Sequence, residues 1–342
     1  MAIGIRIENL RKVYDSPPPS AARGGGFSFT PQRSAGKEKT KKKFEVTALD
    51  GISLEIKAGE VFGLLGPNGA GKSTTIGILT TRTRPTSGRV FVGEYDVWQQ
   101  QVEAKRLIGV APQRPNLDFA LTAREILEFH GAYFGQGAQE RERRTNELLE
   151  KFKLTDRADH MVRGFSGGMM QRISIARALM HDPEVLFLDE PSAGLDPQTR
   201  LLLWELIREY NGRGKTIVLT THNMDEADAL SERLAIIDHG KIIATGTPKE
   251  LKSSIPGGYL LRVRFDRIPD GLVEQLKTLA GVSEVHSTDH IAADVYADRG
   301  GPLISPIVAA AQAIGSELRD VHIAEPSLET LFLHHTGRSL RD

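Results

Sequence analysis

Gly66-Pro67-Asn68-Gly69-Ala70-Gly71-Lys72-Ser73 places two glycines four residues apart, followed at once by a lysine and a serine. That arrangement suits one chemistry, the holding of nucleotide phosphates. The glycines let successive backbone N–H groups turn inward on an anion, and a helix starting there adds its partial positive charge. Lys72 would reach the β- and γ-phosphates of ATP, and the Ser73 hydroxyl would sit on Mg²⁺. A glycine-rich turn with a surface lysine has the same composition, so context matters. Val61-Phe62-Gly63-Leu64-Leu65 precedes the segment and reads as a buried strand; Thr74-Thr75-Ile76-Gly77-Ile78-Leu79 follows and continues as a helix. Strand, loop and helix are what a phosphate cradle requires.

Two further groups carry chemistry. Val185-Leu186-Phe187-Leu188 is a continuous apolar strand that ends in Asp189-Glu190. A carboxylate there, facing the cradle, can hold Mg²⁺, and we assign this to Asp189. Glu190 suits the role of orienting the water that attacks the γ-phosphate. Adjacent carboxylates in a dry cleft are costly without a cation; alone, the pair could equally cap the segment that starts at Pro191. The second group is Phe165-Ser166-Gly167-Gly168-Met169-Met170-Gln171-Arg172. Ser166 can cap a helix through Ile173 and Ile175, and Gly167 and Gly168 leave N–H groups bare at its positive end. One nucleotide does not need two anion cradles within one small domain. A dimer that closes the cap of one subunit over the nucleotide of the other does.

The elements that must position these groups alternate between strand and helix. Ile3, Ile5 and Ile7 begin a strand, Ile52 to Ile56 alternates as an edge strand, and Arg89 to Val92 and Ile108 to Ala111 are further strands. Residues 122 to 180 are mostly helical, with Leu148, Leu149, Phe152 and Leu154 on a buried face. Pro197 starts a helix through Leu201, Leu202, Trp204, Leu206 and Ile207; Thr216 to Thr221 and Leu234 to Ile237 are strands around a helix at Asp225 to Leu230. This predicts an α/β fold with ligand at the strands' carboxyl ends. A boundary is expected near Ser253 to Gly258. Beyond it, strands at 259–265, 282–286, 291–295 and 318–323 interleave with helices at 272–279 and 304–314, and a last helix spans 327–335. The strand-helix-strand-strand-helix-strand order is ferredoxin-like.

Composition narrows the function. Lys+Arg and Asp+Glu both number 44, so no global charge draws the chain to nucleic acid, and none is expected as a partner. Without cysteine there is no disulfide framework or thiolate metal site. The longest apolar runs are too short to span a bilayer. Arg6, Glu8, Arg11 and Lys12 interrupt the N-terminus, which does not read as a signal peptide. Residues 15–43 run through Pro-, Gly- and Lys-rich stretches and read as a flexible basic insertion. Its basic end could lie on anionic headgroups; a solvated loop is the competing reading.

The Phe165–Arg172 segment resembles the signature sequence of the ATP-binding cassette (ABC) ATPases, and the resemblance runs from about residue 3 to 250. Phe165 departs from the more usual leucine, and Ser192 from threonine. The resemblance implies a nucleotide-binding domain over 1–252, with a mixed sheet core, N-terminal antiparallel strands and a helical subdomain at 114–180. Residues 256–342 then form a small α+β accessory domain. Asp189-Glu190 resembles the Walker B carboxylates. Gln113 is similar to the Q-loop glutamine, which contacts Mg²⁺ or the attacking water. Asp196, in Ser192-Ala193-Gly194-Leu195-Asp196, resembles the D-loop aspartate, and His222 the switch histidine on the γ-phosphate. Tyr14 stands where the family stacks an aromatic ring on adenine. By the same resemblance Pro67, Asn68, Ala70 and Thr74 belong to the ATP-binding loop, and Gln171 to the signature that reaches ATP across the dimer.

Thr221-His222-Asn223-Met224-Asp225-Glu226-Ala227 and the tail from Glu325-Pro326-Ser327 through Thr336-Gly337-Arg338 and Leu340-Arg341-Asp342 resemble daunorubicin-resistance-type exporter cassettes. They imply a homodimer at the cytoplasmic face of the membrane, driving two copies of a permease that docks near Gln113 to Glu125. Two other readings stay open: a soluble ABC ATPase acting on ribosomes or DNA, and a nucleotide-gated regulatory module. A single cassette without cysteine or sustained heptads disfavours the first, and intact Glu190 and His222 disfavour the second.

Overall fold

A computed structural model of the chain describes residues 3–15 and 45–337. Apart from Asp15, the expected basic insertion lies outside the described residues, as do Arg338 and Leu340–Asp342 of the tail. In chain order the strands are β1 (Ile5–Tyr14), β2 (Val46–Ile56), β3 (Val61–Leu65), β4 (Ser87–Val92), β5 (Tyr95–Asp96), β6 (Ile108–Ala111), β7 (Val185–Asp189), β8 (Thr216–Thr221), β9 (Arg233–Asp238), β10 (Lys241–Gly246), β11 (Tyr259–Phe265), β12 (Val282–Ser287), β13 (Ala292–Ala297) and β14 (Leu318–Ala324). The helices are α1 (Lys72–Leu79), α2 (Gln101–Leu107), α3 (Ala123–Tyr133), α4 (Ala138–Lys151), α5 (Gly167–Ala178), α6 (Pro197–Asn211), α7 (Met224–Leu230), α8 (Pro248–Ser253), α9 (Leu272–Lys277), α10 (Ile304–Ala313) and α11 (Leu328–Thr336). Contacts group them into two units.

The first unit comprises residues 1–60, 68–220 and 237–242. Its antiparallel sheet runs β2-β1-β4-β5, so the strand expected at Ile52 to Ile56 is an edge and extends back to Val46. β6, β7 and β8 pair in parallel, Ala111 beside Leu188 and Leu188 beside Leu219. Every residue of β7 is buried, which explains its unbroken apolar run: a parallel strand is covered on both faces. The region 122–180 is helical as expected. α3 begins with a reciprocal capping box between Thr122 and Glu125. Leu148, Leu149, Phe152 and Leu154 are all at most 2% exposed. α6 starts at Pro197 as the sequence indicates, but its buried side is Leu203, Ile207 and Tyr210, and Leu201 faces solvent at 57% exposure.

The second unit comprises residues 61–67, 221–236 and 243–342. β3 and β9 pair in parallel from Phe62 beside Arg233 to Leu65 beside Ile236. A four-stranded antiparallel sheet has the order β12-β13-β11-β14, with α9 between β11 and β12 and α10 between β13 and β14 in the chain. Alternation along β11 divides its residues between two faces. Leu261, Val263 and Phe265 pack with Leu272 and Leu276 of α9 and Ile307 of α10. On the other side Leu260 joins Tyr296, Leu328, Leu331 and Phe332, and this cluster includes Leu65, Ala227, Leu234 and Ile236. The last helix therefore packs on the strand that leads into the glycine-rich loop.

Candidate active site

The loop is shaped by backbone that a side chain would oppose. Gly69 has φ +83° and Gly71 φ +113°. A Cβ on Gly71 would stand 2.7 Å from both the Ala48 carbonyl oxygen and Leu49 Cδ2, so position 71 admits only glycine. α1 begins at once after Gly71, at Lys72. The Gly240 N–H donates to Ala70 O at 2.9 Å and fixes the loop's middle, and the Gly66 N–H donates to Thr221 O at 3.3 Å at its start.

Within the first unit Lys72, Ser73, Gln113, Asp189 and Glu190 converge. The Lys72 ammonium lies 3.4 Å from Glu190 Oε1, with side chains only 4% and 6% exposed. Burial lowers the Lys72 pKa, and the neighbouring carboxylates of Glu190 and then Asp189 oppose that shift. Gln113 Nε2 donates to the other carboxylate oxygen, Glu190 Oε2, at 3.1 Å. Ser73 Oγ donates to Asp189 Oδ1 at 3.3 Å. Lys72 and Gln113 thus meet on Glu190, and Ser73 and Asp189, both expected to hold Mg²⁺, are in direct hydrogen-bond contact. A hydroxyl beside a buried carboxylate is a hard-oxygen donor set, which fits Mg²⁺.

Thr220 is a site residue that the sequence reading passed over. Its hydroxyl donates to Asp189 Oδ1 at 2.6 Å, and the Glu190 N–H donates to both Thr220 Oγ1 and Thr220 O at 3.1 Å. Glu190 is at φ +49°, in the left-handed region that non-glycine residues seldom occupy. The Thr220 contacts hold the strained residue so that its carboxylate meets Lys72 and Gln113. The available signal was the Thr220-Thr221 pair that closes β8 after the apolar stretch Ile217-Val218-Leu219; Thr220 is fully buried here.

Ser166, Asp196 and Tyr14 each make local contacts of their own. Ser166 caps α5, its Oγ accepting from the Met169 N–H at 3.3 Å. A Cβ on Gly167 would meet no atom within 4 Å, and one on Gly168 only Leu195 and Thr199 side chains at van der Waals distance. Nothing among the described residues therefore demands glycine at 167. Gln171, expected in the signature, is 5% exposed, and its Nε2 has no partner among the described residues. Asp196 caps α6, accepting from the Thr199 N–H at 2.9 Å and the Thr199 hydroxyl at 2.7 Å; these bonds, the hydroxyl's first, hold its carboxyl below the ordinary range. Tyr14 ends β1 opposite Val46, and the Lys12 ammonium lies 4.7 Å from its ring centroid, so a cation covers one face. His222 belongs to the second unit, exposed and immediately ahead of Asn223, which caps α7 through the Asp225 and Glu226 N–H groups.

Comparison with known proteins accords with this geometry. The ABC transporter family model matches residues 49–193. The chain is 40% identical to the linearmycin resistance ATP-binding protein of Bacillus subtilis (strain 168) over 308 residues, 89% of this chain and 99% of that one. It is also 40% identical to a daunorubicin resistance ATP-binding protein of Streptomyces coeruleorubidus over 294 residues, 86% of this chain and 92% of the relative. Among solved structures, a dimeric ATP-binding cassette in a post-hydrolysis state bound to ADP and Pi is similar with a TM-score of 0.59 and 28% identity. The match covers 71% of this chain and 98% of that one.

Proposed function

This chain belongs to the ABC transporter family as an ATP-binding ATPase subunit, and from that premise we propose that two copies enclose two Mg-ATP and drive a separate exporter permease. The observation that carries the reading is the buried convergence of Lys72 and Gln113 on Glu190, beside Ser73 and Asp189. Lys72 neutralises Glu190 in the nucleotide-free arrangement. The β- and γ-phosphates of ATP compete for the same ammonium. When they take it, Glu190 keeps the Gln113 hydrogen bond and its carboxylate acts on water in the role of general base. Mg²⁺, held by Ser73 and Asp189 with Gln113 in reach, would supply charge neutralisation on the phosphate oxygens. The rest is positioning and electrostatics from this chain: bare N–H groups, a lysine and an oriented carboxylate.

Ser166, Gly167 and Gly168 act on the nucleotide of the other copy. Support comes from Gly167, which is exposed and has no steric reason for glycine among the described residues. A closely approaching phosphate supplies the reason. His222 contacts the γ-phosphate, Tyr14 stacks on adenine with its free face, and Asp196 reaches across the seam. Residues 1–252 form the cassette, and 256–342 a ferredoxin-like accessory domain.

No helix among the described residues is long and apolar enough to cross a membrane. The subunit is peripheral, on the cytoplasmic face, and two copies of a permease carry the cargo, with about six helices of roughly 20 apolar residues each. It docks near Gln113 to Glu125, where Phe119 is 54% exposed. The cargo is a drug, antibiotic or lipid-like molecule; the resistance proteins named above support that class. The test is phosphate release by the purified chain together with nucleotide binding. Lys72→Ala loses ATP affinity, whereas Glu190→Gln keeps it and loses about 10²–10⁴-fold in turnover. Full hydrolysis by Glu190→Gln would remove the base from this account.

A further inference from the structure

We propose that Glu284, His286 and His334 form a site for a borderline divalent transition-metal cation such as Zn²⁺, independent of the nucleotide site. Glu284 and His286 lie two apart on β12 and so project from the same face of the strand; His334 comes from α11. His286 Nε2 stands 3.0 Å from Glu284 Oε2, and His334 Nε2 stands 3.1 Å from that same oxygen. All three ligand atoms lie within 4.8 Å of one another. Around a tetrahedral Zn²⁺ with bonds of about 2.1 Å, donor atoms stand roughly 3.4 Å apart. Two edges of that triangle are already close to the required length.

The rings are held rather than loosely placed. Tyr296, 2% exposed, sets its ring edge-on to both, at 4.9 Å from His334 and 5.8 Å from His286. The Glu284 carboxylate sits between the two rings, with both Nε2 atoms on its Oε2. Two imidazoles and one carboxylate select imidazole-preferring cations over Mg²⁺ or Ca²⁺. The three side chains are 42%, 57% and 20% exposed in chain order, which leaves the remaining coordination positions open to water.

Such an ion would clip α11 to β12. α11 carries Leu331 and Phe332 into the cluster that includes Leu65, the residue ahead of the glycine-rich loop. Since the unfolded chain offers no preformed site, binding would stabilise the fold.

The experiment uses the full chain, stripped of metal by a chelator and titrated calorimetrically with ZnCl₂ in excess Mg²⁺. The wild type is expected to take up one Zn²⁺ per chain at this site and to melt at a higher temperature with it. Glu284→Gln, His286→Ala and His334→Ala should each weaken uptake by about tenfold or more. His290→Ala, an exposed histidine outside the triad, should leave it unchanged. His334→Gln, checked by its zinc-free melting temperature, replaces His334→Ala if that variant fails to fold. A wild type that takes up no Zn²⁺, or uptake that persists with both histidines replaced, would overturn the proposal and leave a hydrogen-bonded cluster only.

Discussion

Lys72 and Glu190 are more deeply buried than surface ion pairs, and that burial makes each dependent on the other. Removing one partner of such a pair strands a charge in a dry site, at about 3–5 kcal/mol. Lys72→Met is therefore expected to lose stability in nucleotide-free urea unfolding. Adding Glu190→Gln should recover most of that loss, because no charge is then left behind. Additive losses would show that the pair is not coupled. At this scale the glycine-rich loop and the paired carboxylates were visible in the sequence, because both are local patterns. Thr220 was not, since its role depends on a neighbouring strand, β7, drawn from some thirty positions earlier in the chain. The Glu284–His286–His334 group escaped notice for the same reason: His286 and His334 are 48 positions apart, and no local spacing joins them.

Two glycines show how elements divide between folding and function. Gly71 is required by its own chain: φ +113° and contacts at 2.7 Å make Gly71→Ala a destabilising change of roughly 1–3 kcal/mol that also spoils the cradle. Gly167 opens α5 with ordinary backbone and empty space around it, so Gly167→Ala should hold or slightly raise the melting temperature. Its turnover should nevertheless fall. If Gly167→Ala hydrolyses ATP normally, the glycine has no role at the nucleotide.

The helical region makes a second test. Burial, with a smaller contribution from His181, lowers the His130 pKa to about 3; burial likewise lowers His181 to about 4, although the Ile108 carbonyl bond opposes it. Both rings are neutral when folded, whereas the unfolded chain takes up protons below about 6.5. Stability should thus be level above that pH and fall as pH drops from 6.5 towards 4, by at most about 1.4 kcal/mol per pH unit for each ring. Urea unfolding across that window should show the slope, and His130→Leu should flatten it. Long periodic segments such as α4 and buried runs such as β7 were legible from pattern alone. The short α2, β5, β10 and α8 were not read, because elements of two to seven residues carry too little periodicity. The buried face of α6 was not legible for a similar reason: six apolar residues crowd positions 201–207, and only packing selects which are buried.

At the scale of the whole molecule, the proposal makes the cassette half of a machine. Within one chain, Ser166 to Gly168 present a capped helix terminus that touches nothing requiring it, while Lys72 and Ser73 open a cradle elsewhere in the same unit. The proposed chemistry needs both on one phosphate, and in that proposal two copies provide this by exchanging surfaces. Glu190→Gln, which binds ATP without consuming it, should trap the pair. The decisive measurement is the mass of this variant by light scattering, with and without Mg-ATP. The account predicts twice the 37.5 kDa chain mass with nucleotide and a single chain without it. Gly167→Asp added to Glu190→Gln suits a helix N-terminus but repels a phosphate, so it should keep ATP binding and abolish the doubling. A Glu190→Gln protein that binds Mg-ATP yet stays single, or a pair indifferent to Gly167→Asp, would contradict it.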